Sequence, residues 1–129
     1  IKRLNVRAKL WHVLVVPRVK MLTPRVYAAL NLKLTNYSDD VNILTRYLGK
    51  NDVQKVGSLL YNDLEQPIAH LKPSLLKIKK KLQALNVAGV AFSGSGPSLF
   101  SVVGSKKQAD KIKAALERRY SQVFVVKTR

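Results

Sequence analysis

Four short apolar runs rich in β-branched residues, a series of helix-start signals between the first two, and a glycine-rich link between the second and third predict an α+β fold. The order matches a ferredoxin-like βαββαβ sandwich with extra helices in the first crossover. It occupies residues 11–129 and leaves 1–10 outside.

Residues 1–10 alternate basic and apolar positions without turn signals, as in a strand cut from an upstream domain. Trp11 to Val16, ended by Pro17, is the first strand. Thr23-Pro24 matches a helix start, with threonine as N-cap and proline at the first helical position. That helix is expected to reach about Leu34, with Arg25 and Tyr27 in its first turn. Ser38, followed by Asp39 and Asp40, opens the next helix, because a serine cap and early carboxylates both suit the N-terminal dipole. Gly49 closes it. Asn51-x-x-Gln54 has capping-box spacing for a helix through about Leu60. Asn62 and Glu65 repeat that spacing, but Pro67 falls too deep for a clean helix, so a bend is expected over 61–67.

Pro73 begins a helix to about Leu85, with Leu75, Ile78, Leu82 and Leu85 on one side. Lys77, Lys80 and Lys81 lie opposite, with Lys79 at the margin, as a solvated face or a binding surface. Val87–Phe92 and Leu99–Val103 are the second and third strands. Between them, Ser93-Gly94-Ser95-Gly96-Pro97-Ser98 can continue neither helix nor strand and reads as a tight link that needs positive φ. Such a loop exposes consecutive N–H groups that suit a phosphate, and it also serves as a plain hairpin turn. Ser105-x-x-Gln108 caps the last helix, with Ala109, Ile112 and Leu116 inward and Lys107, Lys111 and Arg118 outward; Val123–Val126 is the fourth strand.

At 129 residues the chain fits one domain with a real core. No apolar run approaches the roughly 18 residues of a membrane span, and no signal peptide is visible, so a cytoplasmic setting is expected. The chain begins at Ile1 rather than Met, as a piece of a longer protein would. Without cysteine, disulfides and thiol chemistry are excluded. The net charge of +17 points to an anionic partner. It is unevenly spread: residues 1–34 hold eight basic groups and no acid, whereas 35–72 hold five of the seven acids.

Conventional catalytic sets are missing. His12 and His70 are far apart, with no neighbour at metal-ligand spacing, so both read as structural. Ser93, Ser95 and Ser98 lack a nucleophile-elbow context, and no P-loop or dinucleotide fingerprint occurs. Carboxylates pair only at Asp39-Asp40 and Asp63-x-Glu65.

Ser93-Gly94-Ser95-Gly96-Pro97-Ser98-Leu99-Phe100 resembles the third motif of the GHMP kinase superfamily, which phosphorylates small molecules with ATP. Tyr61-Asn62-Asp63-Leu64-Glu65 resembles the Asn-Asp-Leu-Glu signature of the 4-diphosphocytidyl-2-C-methyl-D-erythritol kinases within it. Pro17 followed by Thr23-Pro24-Arg25-Val26-Tyr27 resembles that family's entry into its C-terminal domain. The resemblance implies that residues 11–129 are this C-terminal domain and 1–10 the remnant of an N-terminal kinase domain. That missing domain would carry the phosphate loop and the catalytic Asp and Lys, so no catalytic residue is expected here.

The implied activity is ATP-dependent phosphorylation of the substrate's 2-hydroxyl in non-mevalonate isoprenoid precursor synthesis. ATP and Mg²⁺ would be the cofactors and a cytidine diphosphate compound the substrate. Gly94, Ser95 and Gly96 would close over the cleft near the ATP phosphates, with Ser93 steadying the loop. Tyr27 sits where the family stacks an aromatic on cytosine; as an ordinary helix residue it would simply pack. Thr23 would cap its helix and also bond a ligand or the phosphate loop. Asn62 and Asp63 would brace the glycine loop.

Two alternatives stand beside this reading. One is another GHMP enzyme, such as a homoserine or mevalonate-type kinase. The other is a basic RNA-binding module, for which the middle strands offer only Phe92 and Phe100. Nucleic acid and membrane are not expected partners, and the sequence sets no oligomeric state.

Overall fold

In the computed structural model, which describes residues 9–30 and 40–128, β1 (Trp11–Val15) takes an inner place in a four-stranded sheet. The order is β2-β3-β1-β4, with β2 Gly89–Phe92, β3 Leu99–Val103 and β4 Val123–Lys127, and every pairing is antiparallel. Val13 lies opposite Ser101 on one side and Val125 on the other. This is the predicted ferredoxin-like order.

Six helices join the strands: α1 Thr23–Ala28, α2 Asp40–Lys50, α3 Val53–Ser58, α4 Glu65–Leu71, α5 Pro73–Gln83 and α6 Lys106–Glu117. Strand side chains alternate between faces, and both faces of the β2–β3 half are covered. Leu99 and Val103 join Leu75, Ile78, Leu82, Ile112 and Leu116 in the main core. Phe100 and Val102 point the other way, into a smaller cluster with Val56 of α3 and Leu44, Tyr47 and Leu48 of α2. The middle-strand aromatics that an RNA-binding surface would display are therefore taken. Phe92 is 2% exposed, and Phe100 packs under α2 and α3.

The α3–β2 contact is made glycine to glycine. A Cβ on Gly57 would stand 2.3 Å from the Ala88 carbonyl carbon, and one on Gly89 would stand 2.0 Å from the Gly57 oxygen. Any side chain at either position would push the helix off the sheet.

Several local readings shift. Leu22, rather than Thr23, is the N-cap of α1, and Thr23 opens the helix without capping it. The described part of α1 ends at Ala28, short of Leu34, and Ala29 and Leu30 close it through bonds to Arg25 and Tyr27. Ser38 and Asp39 lie outside the described residues. Gly49 sits inside α2, and Asn51, with φ 57°, is where the chain turns away. Asp52 caps α3 by accepting the Lys55 N–H at 3.0 Å, one residue beyond the predicted cap. The expected bend at 61–67 is only partly one: α4 starts at Glu65 with Pro67 inside it. Proline is tolerated there because N–H groups of the first turn have no intrahelical acceptor, and the first bond runs from Ile68 N to Leu64 O at 2.9 Å. Lys79, at the margin of the lysine face, pairs with Glu65 and ties α5 to α4. Ser105 caps α6 as predicted, accepting from Gln108 N at 3.2 Å.

Candidate functional site

The link between β2 and β3 is held by its own backbone. Ser93 N–H donates to Ser98 O at 2.9 Å, and Gly96 N–H donates back to Ser93 O at 3.0 Å. Gly94 (φ 54°) and Gly96 (φ 73°) occupy the left-handed region, which glycine enters at no steric cost. The peptide bond between Gly96 and Pro97 is cis. Two of the loop's N–H groups are thus spent on the turn. Those of Gly94 and Ser95 have no acceptor among the described residues. The run of free N–H groups expected from the sequence is therefore narrower.

Asn62 braces this loop from the start of α4. Its side-chain NH₂ donates to Phe92 O and to Gly94 O, both at 2.9 Å, while its Oδ1 accepts the Leu64 N–H at 2.9 Å. An amide suits this position because it offers two N–H donors and an acceptor together, whereas a hydroxyl has one donor and a carboxylate none. Asp63 makes no hydrogen bond to the loop among the described residues; its carboxylate stands near the Tyr61 hydroxyl and raises the Tyr61 pKa above its ordinary value. Glu65 pairs with Lys79, so Asp63 and Glu65 do not form a carboxylate pair with each other.

From the other side, α1 reaches the loop through Thr23, whose hydroxyl shares a hydrogen bond of 2.9 Å with the Ser95 hydroxyl. Tyr27, one turn further along α1, is 57% exposed. Tyr27, Tyr61, Asn62, Asp63 and Gly94 all line one open depression of about 550 Å³, floored by Ala91, Phe92 and Phe100. The residues singled out from the sequence are thus gathered, across three segments, at one end of the sheet. Thr23 and Ser95 meet beside the depression, and Gly96 packs toward Ile68. Tyr61, the first residue of the signature stretch, has no role of its own in the sequence reading, yet it lines the depression.

His12 lies on β1, edge-on to Phe100 with ring centroids 6.0 Å apart, and burial lowers its pKa. It is part of the packing, and His70 is exposed at the end of α4. Among the described residues, no three His, Cys, Asp or Glu side chains are grouped to hold a metal ion. No described helix is long and apolar enough to cross a membrane.

The family model for the C-terminal domain of GHMP kinases matches residues 44–122. The 4-diphosphocytidyl-2-C-methyl-D-erythritol kinase of Pelotomaculum thermopropionicum is 30% identical over 116 residues, 90% of this chain and 40% of that protein. A homoserine kinase structure from Cytophaga hutchinsonii superposes with a TM-score of 0.78 at 26% identity, covering 99% of this chain and 44% of that one. A 4-(cytidine 5'-diphospho)-2C-methyl-D-erythritol kinase structure gives 0.79 at 24% identity, over 92% of this chain and 42% of that one, and speaks to the fold alone. The chain spans less than half the length of the curated relatives it matches. With more than half of its residues under the family model, and with the brace and glycine loop inside the matched stretch, the chain belongs to the GHMP kinase family, as its C-terminal domain.

Proposed function

We propose that this domain binds the substrate and closes the cleft of an ATP-dependent 4-diphosphocytidyl-2-C-methyl-D-erythritol kinase. Residues 11–129 form the domain, and 1–10 are the tail of a preceding kinase domain. The observation that carries the reading is the single depression shared by exposed Tyr27, Asn62 and Gly94, with Asn62 bonded to the loop. An exposed aromatic ring beside an open depression suits a planar base such as cytosine. The Gly94 and Ser95 N–H groups suit a phosphate oxygen. The curated relative of Pelotomaculum thermopropionicum bears this enzyme's name, which favours it over the homoserine kinase that shares the fold.

The family implies ATP, with Mg²⁺ as its companion. The described residues do not make a metal site by themselves. Their share of phosphoryl transfer is positioning. Tyr27 holds the base, Asn62 fixes the loop by its carbonyls, and Thr23 ties α1 to Ser95. The domain supplies no base for the attacking hydroxyl, so residues 1–129 alone are expected to show no turnover of the cytidine substrate.

The test is Tyr27→Ala in the full kinase that carries this domain. Loss of one base-stacking contact of about 1–3 kcal/mol raises KM for the cytidine substrate roughly 5- to 150-fold. An unchanged KM would remove Tyr27 from the site.

A further inference from the structure

A second depression, of about 300 Å³, borders the start of α1 and shares no lining residue with the first. Three cations from three segments border it: Lys20 from the link after β1, Arg25 from α1, and Lys72 from the joint between α4 and α5. All three are exposed, and no acidic residue lines the depression. Among the described residues, the ion pairs are made by Lys79, Lys106 and Lys113, and none involves these three. Its floor is apolar. Met21 and Leu71 pack against the main core, and Leu22 is 46% exposed at the rim.

The backbone that presents these groups is fixed. Val19 N bonds Pro17 O at 2.8 Å, Arg25 N bonds Leu22 O at 2.9 Å, and Lys72 N bonds Ile68 O at 2.8 Å just before Pro73. Three like charges around one concavity repel one another, and a ligand with two negative charges relieves that repulsion. Arg25 adds a planar fork that matches phosphate oxygens. An inorganic ion would leave the leucine and methionine surface wet, whereas an organic body would cover it.

We propose that Lys20, Arg25 and Lys72 form a binding site for a small soluble organic phosphate, with its phosphate on the three cations and its apolar part on Met21, Leu22 and Leu71. A phosphate monoester carries about −1.5 to −2 charges at pH 7, as the site requires. The proposal is independent of the cytidine site, because its residues and its floor are different.

The experiment titrates the isotope-labelled 129-residue chain with phenyl phosphate at physiological salt and follows backbone amide shifts. Saturable shifts at residues 20–25 and 71–72 are expected, with inorganic phosphate binding at least threefold more weakly. Arg25→Gln with Lys72→Gln weakens phenyl phosphate at least tenfold. Lys107→Gln with Lys111→Gln removes the same charge from the exposed face of α6 and changes affinity less than twofold. Shifts scattered over α5 and α6, or equal weakening by both pairs, would reduce the effect to general attraction by a +17 chain and overturn the site. Equal affinity for inorganic phosphate overturns the role of the apolar floor. Co-sedimentation with phosphatidic acid vesicles, without phenyl phosphate binding, overturns the soluble ligand in favour of a lipid headgroup.

Discussion

Thr23 and Ser95, 72 residues apart in the chain, share a hydrogen bond of 2.9 Å that joins the first helix to the glycine loop. It is the one described side-chain bond between those segments, and it is exposed. A double-mutant cycle of Thr23→Val and Ser95→Ala should therefore show a coupling of about 0.5–1 kcal/mol in unfolding free energy, at the low end for a hydrogen bond. Additive losses would mean that the two hydroxyls prefer water.

Asn62 carries more. Asn62→Ala removes two donors from the loop carbonyls and one acceptor at Leu64. The expected destabilisation is about 1–3 kcal/mol, with faster amide exchange at the loop bonds of Ser93 and Gly96. Asn62→Asp separates the two roles. It keeps the acceptor for Leu64 but faces the carbonyls of Phe92 and Gly94 with a carboxylate, so it should release the loop as fully as alanine does.

The glycines divide sharply. Gly57→Ala forces a methyl into the Ala88 backbone and should cost about 3 kcal/mol or more, read as a lower urea midpoint. Gly49, inside α2 with open space around it, is the opposite case. Gly49→Ala should stabilise by about 0.5–1 kcal/mol, because alanine loses less backbone freedom in a helix.

His12 sets a pH dependence. Burial holds its pKa below 6.5 in the folded chain, so on acidification the unfolded chain takes up the proton first. Its contribution to stability is complete above about pH 6.5 and declines as the pH falls toward its folded value. His12→Gln should flatten the pH slope of stability in that window, measured by denaturant unfolding at several pH values.

The sheet was largely readable because its strands are short apolar runs bounded by Pro17, Gly94 and Gly96. Helix starts were less so. Thr23, Asn51 and Pro67 were each placed by a local rule, and each was displaced by one residue or one bond. A cap depends on the φ of a single residue: Asn51 adopts 57° and passes the cap to Asp52. Pro67 fits because it stands where no bond was to be made. The motif residues around the depression were legible through family resemblance. Their partners were not, since no periodicity links Thr23 to Ser95 or Asn62 to the carbonyls of Phe92 and Gly94.

The sheet order carries a consequence for how the chain is made. β1 is the first strand of this domain, yet Val13 meets Ser101 only 88 residues later, and Leu10 closes on Thr128 across 118. During synthesis the first strand stays without either neighbour until almost the whole domain has left the ribosome. Its long loop closures make folding a late and comparatively slow event. A stop a few residues short of β4 would leave one flank of β1 bare, a ready template for another chain to pair with.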